Sequence, residues 1–338
     1  MGLYQGKLHC LAAESSAEIL LVVPPQWREG GVLIRAEKDR YATITVRELP
    51  VLFGGIASLH CYSPMAVWSL LRSFAPDIIY VEEEPWSVAA LQFLLFARRR
   101  NIAFVFFTWE NLWRSYNVVS RLILSSVLRH ADGAVAGNLE AMEILRRRRF
   151  EAPITVLPQY GVDQEVFHRV EGCPEALLAL RRPVVAFIGR LVPEKRVDLL
   201  IEAASKLRDE ATFLIVGDGP ERNSLVQLAH SHGLMSQVAF CDAITYDEVP
   251  RYLSAVDVVV LPSETTPQWK EQFGRILVEA MSCGVAVLGS DSGAIPWVIG
   301  GAGRVFHEGD AEGLMRELHL LLRDDALRRD LGAEGVAR

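Results

Sequence analysis

The sequence predicts an α/β protein built from two doubly wound, parallel-sheet domains, and three observations carry that reading. Short apolar runs bounded by turn residues alternate with segments of helical period through both halves of the chain. The runs are apolar on both faces, as in strands covered by helices on each side. The chain has 338 residues, half of them hydrophobic, which suffices for two domains of ordinary size. Two blocks of similar length meet in a polar stretch near 163–182 that includes "EGCPE". The domains are accordingly expected at 1–170 and 171–338.

In the first block, "ILLVV" (19–23), "IIYV" (78–81), "AFVFF" (103–107), "GAVAG" (133–137) and "ITVLP" (154–158) read as buried strands. Between them "SVAALQFLLFARRR" (87–100) and "NLEAMEILRRRR" (138–149) have helical period, and Asn138 sits where an N-cap belongs. The second block repeats the theme with strands at "VVAFIG" (184–189), "TFLIVG" (212–217), "VAFCD" (238–242), "VVVLP" (258–262) and "VAVLGS" (285–290). Helices are expected over 197–209, 221–233 and 274–284, the last two ending on a glycine suited to a left-handed C-terminal residue. Ligands of such sheets lie at the carboxyl ends of the strands, so the residues just after each strand are the ones to examine.

Composition narrows the function classes. A net charge of −7 argues against a general nucleic-acid binder. Lysines and arginines number 18 against 17 acids up to residue 170 and 17 against 25 beyond it, so the halves carry +1 and −8. The runs Arg98–Arg100 and Arg146–Arg149 suit either anionic lipid and phosphate or a solvated helix end. Five scattered cysteines without C-x-x-C give neither a disulfide framework nor a zinc site. The longest apolar stretches are far too short to span a bilayer, and the start lacks the basic and apolar pattern of a secretory signal. A cytoplasmic location is therefore expected, with a peripheral position at the inner face of the membrane as its extension.

Four segments after strands carry candidate chemistry. In "FIGRLVPEKR" (187–196) a strand ends at Gly189, and Arg190, Lys195 and Arg196 follow. Three cations there form either a diphosphate clamp or a basic loop paired with nearby carboxylates. "VGDGPER" (216–222) reads as a strand-to-helix turn; it is no G-x-G-x-x-G fingerprint, and no P-loop motif occurs anywhere. "VVVLPSETTPQWKEQFGRILVEAM" (258–281) runs from strand through loop to helix, with Gly274 letting backbone approach a ligand at a helix start that favours an anion. Glu271 can accept from hydroxyls, and Glu279, on a different side, can take a vicinal diol; the alternative is a dipole-pairing glutamate and an exposed one. "SDSGAIPWVIGGAG" (290–303) is a Gly-rich loop that can close over the same ligand.

Together these segments resemble glycosyltransferase family 4, retaining enzymes of the GT-B fold that use nucleotide sugars. The likeness runs from about Ile19 to about Leu331 and is strongest from Thr155 onward, where "LPQYGVD", "FIGRLVPEKRVDLLIEA", "VGDGPER", "VVVLPS" and "EQFGRILVEAM" follow in the family's order. The resemblance implies two Rossmann-like domains facing across a cleft, the first binding acceptor and the second donor. It implies that Arg190 and Lys195 hold the donor diphosphate and that Glu271 contacts hydroxyls of the transferred sugar. The backbone at Phe273 and Gly274 would sit against sugar and phosphate, with Gly189 and Arg275 completing the donor set. Glu279 would bind the ribose, the residues from Phe240 to Ile244 the base, and Gly30 and Gly31 of "WREGG" the phosphates from across the cleft.

Departures from the family are specific. Many members carry a histidine after the strand "FVFFT"; here the chain reads "TWENL", and Glu110 is either an acceptor-orienting catalytic residue or a salt-bridged loop residue. Glu84 of "YVEEEPWS" would line the same cleft or sit on an exposed acidic turn. Trp297 stands where the family often has an acid, and the chain stops at Arg338, short of the terminal helix that crosses back onto the first domain. The implied reaction is hexosyl transfer with retention from a nucleoside diphosphate sugar to a hydroxyl acceptor, with front-face attack and no obligatory metal or other cofactor. A nucleotide-sugar epimerase and an inactive sugar-nucleotide-binding partner are the alternatives. The acceptor is a glycan or a lipid-linked molecule. The helices at 120–130 and 87–100, with the arginine runs, either touch a membrane surface or pack inside the first domain.

Overall fold

The computed structural model describes residues 6–29, 32–36, 43–158, 160–172 and 174–338. The chain divides into two compact units, Met1–Gly161 and Val162–Arg338. The first contains α1 (Gly6–Glu14), β1 (Leu20–Val23), β2 (Gln26–Glu29), β3 (Val32–Arg35), β4 (Thr45–Glu48), β5 (Val51–Leu52) and β6 (Cys61–Tyr62). There follow α2 (Pro64–Phe74), β7 (Ile78–Val81), α3 (Val88–Arg100), β8 (Ala103–Thr108), α4 (Val118–His130), β9 (Gly133–Ala136), α5 (Leu139–Arg147) and β10 (Ile154–Val156).

Four of these strands make a parallel sheet in the order β10-β9-β8-β7. Its core is built from Ile79, Val81, Phe104, Phe106 and Ala134 on the strands, against Leu94 of α3 and Val127 of α4. The helices start where capping side chains allow. Ser87 accepts from the Ala90 N–H, Asn117 from Ser120 and Asn138 from Ala141, each meeting one of the donors a helix start leaves free. The first apolar run departs from the expected sheet: β1 pairs in parallel with β4, Leu20 opposite Thr45, as a separate ladder. "WRE" of the expected phosphate loop lies in β2, one arm of an antiparallel hairpin with β3; Gly30 and Gly31 fall outside the described residues.

The second unit contains β11 (Val184–Ile188), α6 (Val197–Lys206), β12 (Thr212–Val216), α7 (Arg222–Ser231), β13 (Val238–Cys241), α8 (Val249–Ser254) and β14 (Val258–Leu261). It continues with α9 (Arg275–Ser282), β15 (Ala286–Ser290), α10 (Ile295–Ile299), β16 (Arg304–Phe306), α11 (Ala311–Arg323) and α12 (Asp325–Ala337). Its six strands are all parallel in the order β13-β12-β11-β14-β15-β16, which is the 3-2-1-4-5-6 order of a doubly wound nucleotide-binding sheet. Every residue of β11, β12, β14 and β15 is buried, as the two-sided apolar runs require. Gly233 and Gly284 end α7 and α9 with φ of +67° and +69°, the left-handed conformation expected of them.

The division falls at Gly161, earlier than the expected boundary at 170. The reason is one aromatic side chain inside the polar stretch. Phe167 is fully buried and meets the Tyr246 ring edge-on at 5.1 Å. Its carbonyl accepts from the Ser282 hydroxyl, and the Val170 N–H donates to Ser254 at 3.0 Å. These contacts bind the stretch to α8 and α9. Phe167→Ala is expected to cost the second unit about 3–5 kcal/mol, measured by urea unfolding; a loss well under 1 kcal/mol would contradict the anchoring role.

Candidate active site

In the second unit β11 and β14 are neighbours although β12 and β13 lie between them in the chain. Their carboxyl ends form the switch point at which such sheets bind ligands, and the loops at 189–196 and 262–274 leave from there. The first loop lies on the turn "GDG". Gly189 N–H donates to Val216 O at 3.0 Å, and Leu191 N–H donates to Asp218 O at 2.9 Å. Gly217 (φ +145°) and Gly219 (φ +156°) allow this approach, since a Cβ on them would stand 1.9 Å from Gly189 O and 2.3 Å from Leu191 O. The turn read in "VGDGPER" is thus also the bed on which Arg190 and its loop rest.

The three expected cations have different surroundings. Arg190 is exposed, and no carboxylate pairs with it among the described residues. Lys195, with 14% of its side chain exposed, hydrogen-bonds to Glu271 Oε2, and its ammonium lies 4.9 Å from the centroid of the Trp269 ring. Arg196 pairs through its guanidinium with Asp198 at 2.9 Å and with Glu264, so two of the three cations are carboxylate-paired, as the basic-loop alternative expects, and Arg190 is the one without such a partner among the described residues.

Glu271 is buried and also accepts from the Ser263 hydroxyl at 3.0 Å. Its backbone is fixed from the far side by the Gly-rich loop. Ala294 N–H donates to Glu271 O at 3.0 Å, and a Cβ on Gly293 (φ +56°) would sit 2.0 Å from that oxygen. The segment expected to close over a ligand therefore packs against the backbone of Glu271. Trp297 lies in α10, where its carbonyl accepts from Arg338 at 2.8 Å.

Gly274 also has a packing role. Its φ is +77°, and a Cβ there would meet Leu261 Cδ2 at 2.9 Å and Leu277 Cδ1 at 3.2 Å. The missing side chain thus makes room for the core rather than, on that side, for a ligand. It opens α9, whose first N–H groups have no side-chain cap and can receive an anion. Phe273 beside it is buried, and Ile244, following β13, is half-buried.

Glu279 is buried rather than exposed, and Arg275 Nε lies 2.8 Å from its carboxylate, with the guanidinium 5.1 Å from the Tyr246 ring centroid. Burial pushes the Glu279 carboxyl up to about 7 while Arg275 pulls it back. Unfolded, the group titrates in the ordinary carboxylate range, so folding binds a proton between that range and about pH 7, and its contribution to stability falls as pH rises through that window. Glu279→Gln should therefore gain stability relative to wild type as urea unfolding is moved from about pH 5 to about pH 8; a pH-independent difference would contradict this.

In the first unit the carboxyl end of β8 gathers a second acidic group. Glu84 accepts from the Thr108 hydroxyl at 2.7 Å and from the Trp109 N–H at 2.9 Å, and desolvation pushes its carboxyl up to about 7. Glu110 accepts from the Tyr116 hydroxyl and lies 3.9 Å from Arg148. Burial raises its pKa, while Tyr116 and Arg148 lower it. Both acids thus tie their loops. Sequence reasoning left Ser263, Trp269 and Tyr116 without a role and read Arg148 only as part of its arginine run; Ser263, directly after a strand, carried a positional signal.

Comparison with known proteins decides the family of the second unit. The profile "Glycosyl transferases group 1" matches residues 174–338. The second unit belongs to the glycosyl transferases group 1 family. Among curated relatives of this family, N-acetyl-alpha-D-glucosaminyl L-malate synthase of Bacillus anthracis is 37% identical over 153 residues, covering 44% of this chain and 38% of its own. A GDP-mannose-dependent alpha-(1-6)-phosphatidylinositol monomannoside mannosyltransferase of Mycobacterium tuberculosis is 35% identical over 155 residues, covering 43% and 40%. The chain thus spans less than half the length of these relatives.

Sucrose-phosphate synthase from Thermosynechococcus elongatus superposes with a TM-score of 0.72 at 19% identity, over 99% of this chain and 86% of its own. Anabaena HepE in complex with UDP gives 0.69 at 21%, over 87% and 81%. At these identities the likeness shows the fold alone, that of two Rossmann-like units in GT-B glycosyltransferases.

Proposed function

We propose that the protein is a retaining glycosyltransferase that moves a hexosyl group from a nucleoside diphosphate sugar to a hydroxyl acceptor, in glycan, exopolysaccharide or glycolipid synthesis. The observation that carries this reading is the Lys195–Glu271 pair at the switch point of a six-stranded parallel sheet, within the stretch the family profile matches. The donor's anomeric C–O bond to phosphate breaks, and negative charge grows on the leaving diphosphate. Arg190, the Lys195 ammonium and the N–H groups opening α9 stabilise that charge. Glu271, oriented by Ser263 and Lys195, accepts hydrogen bonds from hydroxyls of the transferred sugar. Glu279 takes the ribose diol, and the loop from Phe240 to Ile244 holds the base.

The acceptor hydroxyl attacks the face the diphosphate leaves, and its proton passes to the departing phosphate oxygen, so no separate general base is required. The acceptor is a glycan or lipid-linked hydroxyl, in keeping with the phosphatidylinositol-directed name of one relative. Incubation with labelled UDP-, GDP- and ADP-sugars and a panel of hydroxyl acceptors tests the reading. Transfer with retained anomeric configuration is expected; an epimerised donor formed without acceptor, or binding without turnover across the panel, would overturn it.

A further inference from the structure

The run Arg146–Arg149 and the outer face of α4 take no part in the donor or acceptor chemistry proposed above, yet they adjoin a cavity of about 590 Å³ in the first unit. Arg121, Arg129, Arg148 and Arg149 line it with Trp113 and Leu128, against a single carboxylate, Glu151. It reaches Ala131, Glu151 and Ala152, which precede β9 and β10, and so extends to the sheet edge opposite the carboxyl ends.

The arginine run is distributed by local structure. Arg146 is spent on the Phe150 and Ala152 carbonyls, and Arg147 lies 5.2 Å from the Trp113 ring centroid. Arg148 stacks on Trp113 at 4.4 Å and donates to Arg114 O at 3.0 Å, while its buried Nε has no hydrogen-bond partner. Arg149 adopts φ +63°, turning the chain out of α5 at the cavity.

The neighbouring surface of α4 inverts the usual pattern of a domain helix. Ser120, Ile123, Leu124 and Val127 face the core, but the outer face carries Val118 (61% exposed), Val119 (61%) and Leu122 (65%), with Trp113 (54%) nearby. A helix covered on one side by its own domain normally presents polar residues on the other. Here aliphatic side chains and a tryptophan are flanked by arginines, the composition of a surface that enters the boundary of an anionic bilayer.

The geometry points to a docking site for an anionic membrane on this face. The cavity arginines receive a lipid phosphate, and Trp113, Val118, Val119 and Leu122 enter the acyl boundary. Charge complementarity selects the occupant: Arg148 is held 3.9 Å from Glu110, while the exposed Arg121, Arg129 and Arg149, against Glu151, suit phosphate headgroups, and the cavity has the size of a small-ligand pocket. This site is independent of the donor reading.

The full chain should be sedimented at low salt with phosphatidylcholine vesicles and with vesicles doped with phosphatidylglycerol. Binding is expected to the doped vesicles only. Each arginine at an anionic surface is worth about fivefold in partitioning, so R121A/R149A should weaken binding by roughly 25-fold, and Leu122→Asn should weaken it at unchanged charge. Both variants replace exposed side chains and should keep the wild-type unfolding midpoint and any thermal shift given by nucleotide sugars, which separates failure of this site from failure of the donor site. No sedimentation with doped vesicles, equal binding by both variants, glycerol phosphate binding without vesicle binding, or a dimer that Leu122→Asn dissolves would each overturn the proposal.

Discussion

Alanine at Lys195 is expected to lower kcat for sugar transfer by about 10²–10³-fold, the size of effect produced by removing one preorganised group that stabilises developing negative charge. Lys195 is a half-buried cation of the switch-point loops, with Glu271 and the face of Trp269 around it. Arg196, next in the chain, cannot replace it because Asp198 and Glu264 already hold its guanidinium. Glu271→Ala should abolish transfer and also destabilise the second unit by about 1–3 kcal/mol, since it leaves a half-buried ammonium and the Ser263 hydroxyl without their acceptor. The double variant K195A/E271A should therefore lose less stability than the sum of the two single changes, while remaining inactive. Labelled-donor assays and urea unfolding read the two effects separately. Near-normal turnover in either single variant would remove the pair from the reaction.

Gly293→Ala should damage both stability and activity, although residue 293 bears no functional group. Its φ of +56° costs a non-glycine residue about 1–2 kcal/mol, and the added Cβ would lie 2.0 Å from Glu271 O, a backbone atom that cannot swing aside. A loss of about 2–4 kcal/mol is expected, together with transfer reduced by at least tenfold as the Glu271 segment shifts. Gly301→Ala in the same Gly-rich segment supplies the control. Its Cβ meets nothing within 4 Å, so stability and activity should stay at wild-type values. Equal behaviour of the two variants would show that the brace on Glu271 is unimportant.

These two cases mark how far the sequence can be read. The strands of the second unit were legible because burial on both faces leaves an uninterrupted apolar run, as in "TFLIV" and "VVVL". The glycines closing α7 and α9 were legible because a helix end imposes a local backbone conformation. Arg190, Lys195, Glu271 and Glu279 could be singled out because each follows a strand or opens a helix. Their pairing could not be read, since Lys195 and Glu271 meet across 76 positions through the crossover of the sheet.

For the same reason Arg196 looked like a third phosphate ligand until Glu264 was brought beside it. "SDSGAIP" gave no sign that it braces Glu271, because a glycine required by a distant carbonyl looks like one in any loop. The division at Gly161 was hidden by a single buried phenylalanine in an otherwise polar stretch. Glu279 was open to a solvent-facing reading because helical spacing alone does not say which side the core lies on; the structure buries it against Arg275.

The most direct measurement of the central claim is the thermal shift of wild type and Lys195→Ala across UDP-, GDP- and ADP-sugars. Ligand that binds only the folded chain raises its unfolding midpoint by an amount that grows with the logarithm of its concentration over Kd. One nucleotide class should stabilise the wild type, and the variant should lose most of that shift. No shift with any donor, or an undiminished shift without Lys195, would contradict a nucleotide-sugar site at the β11–β14 switch point.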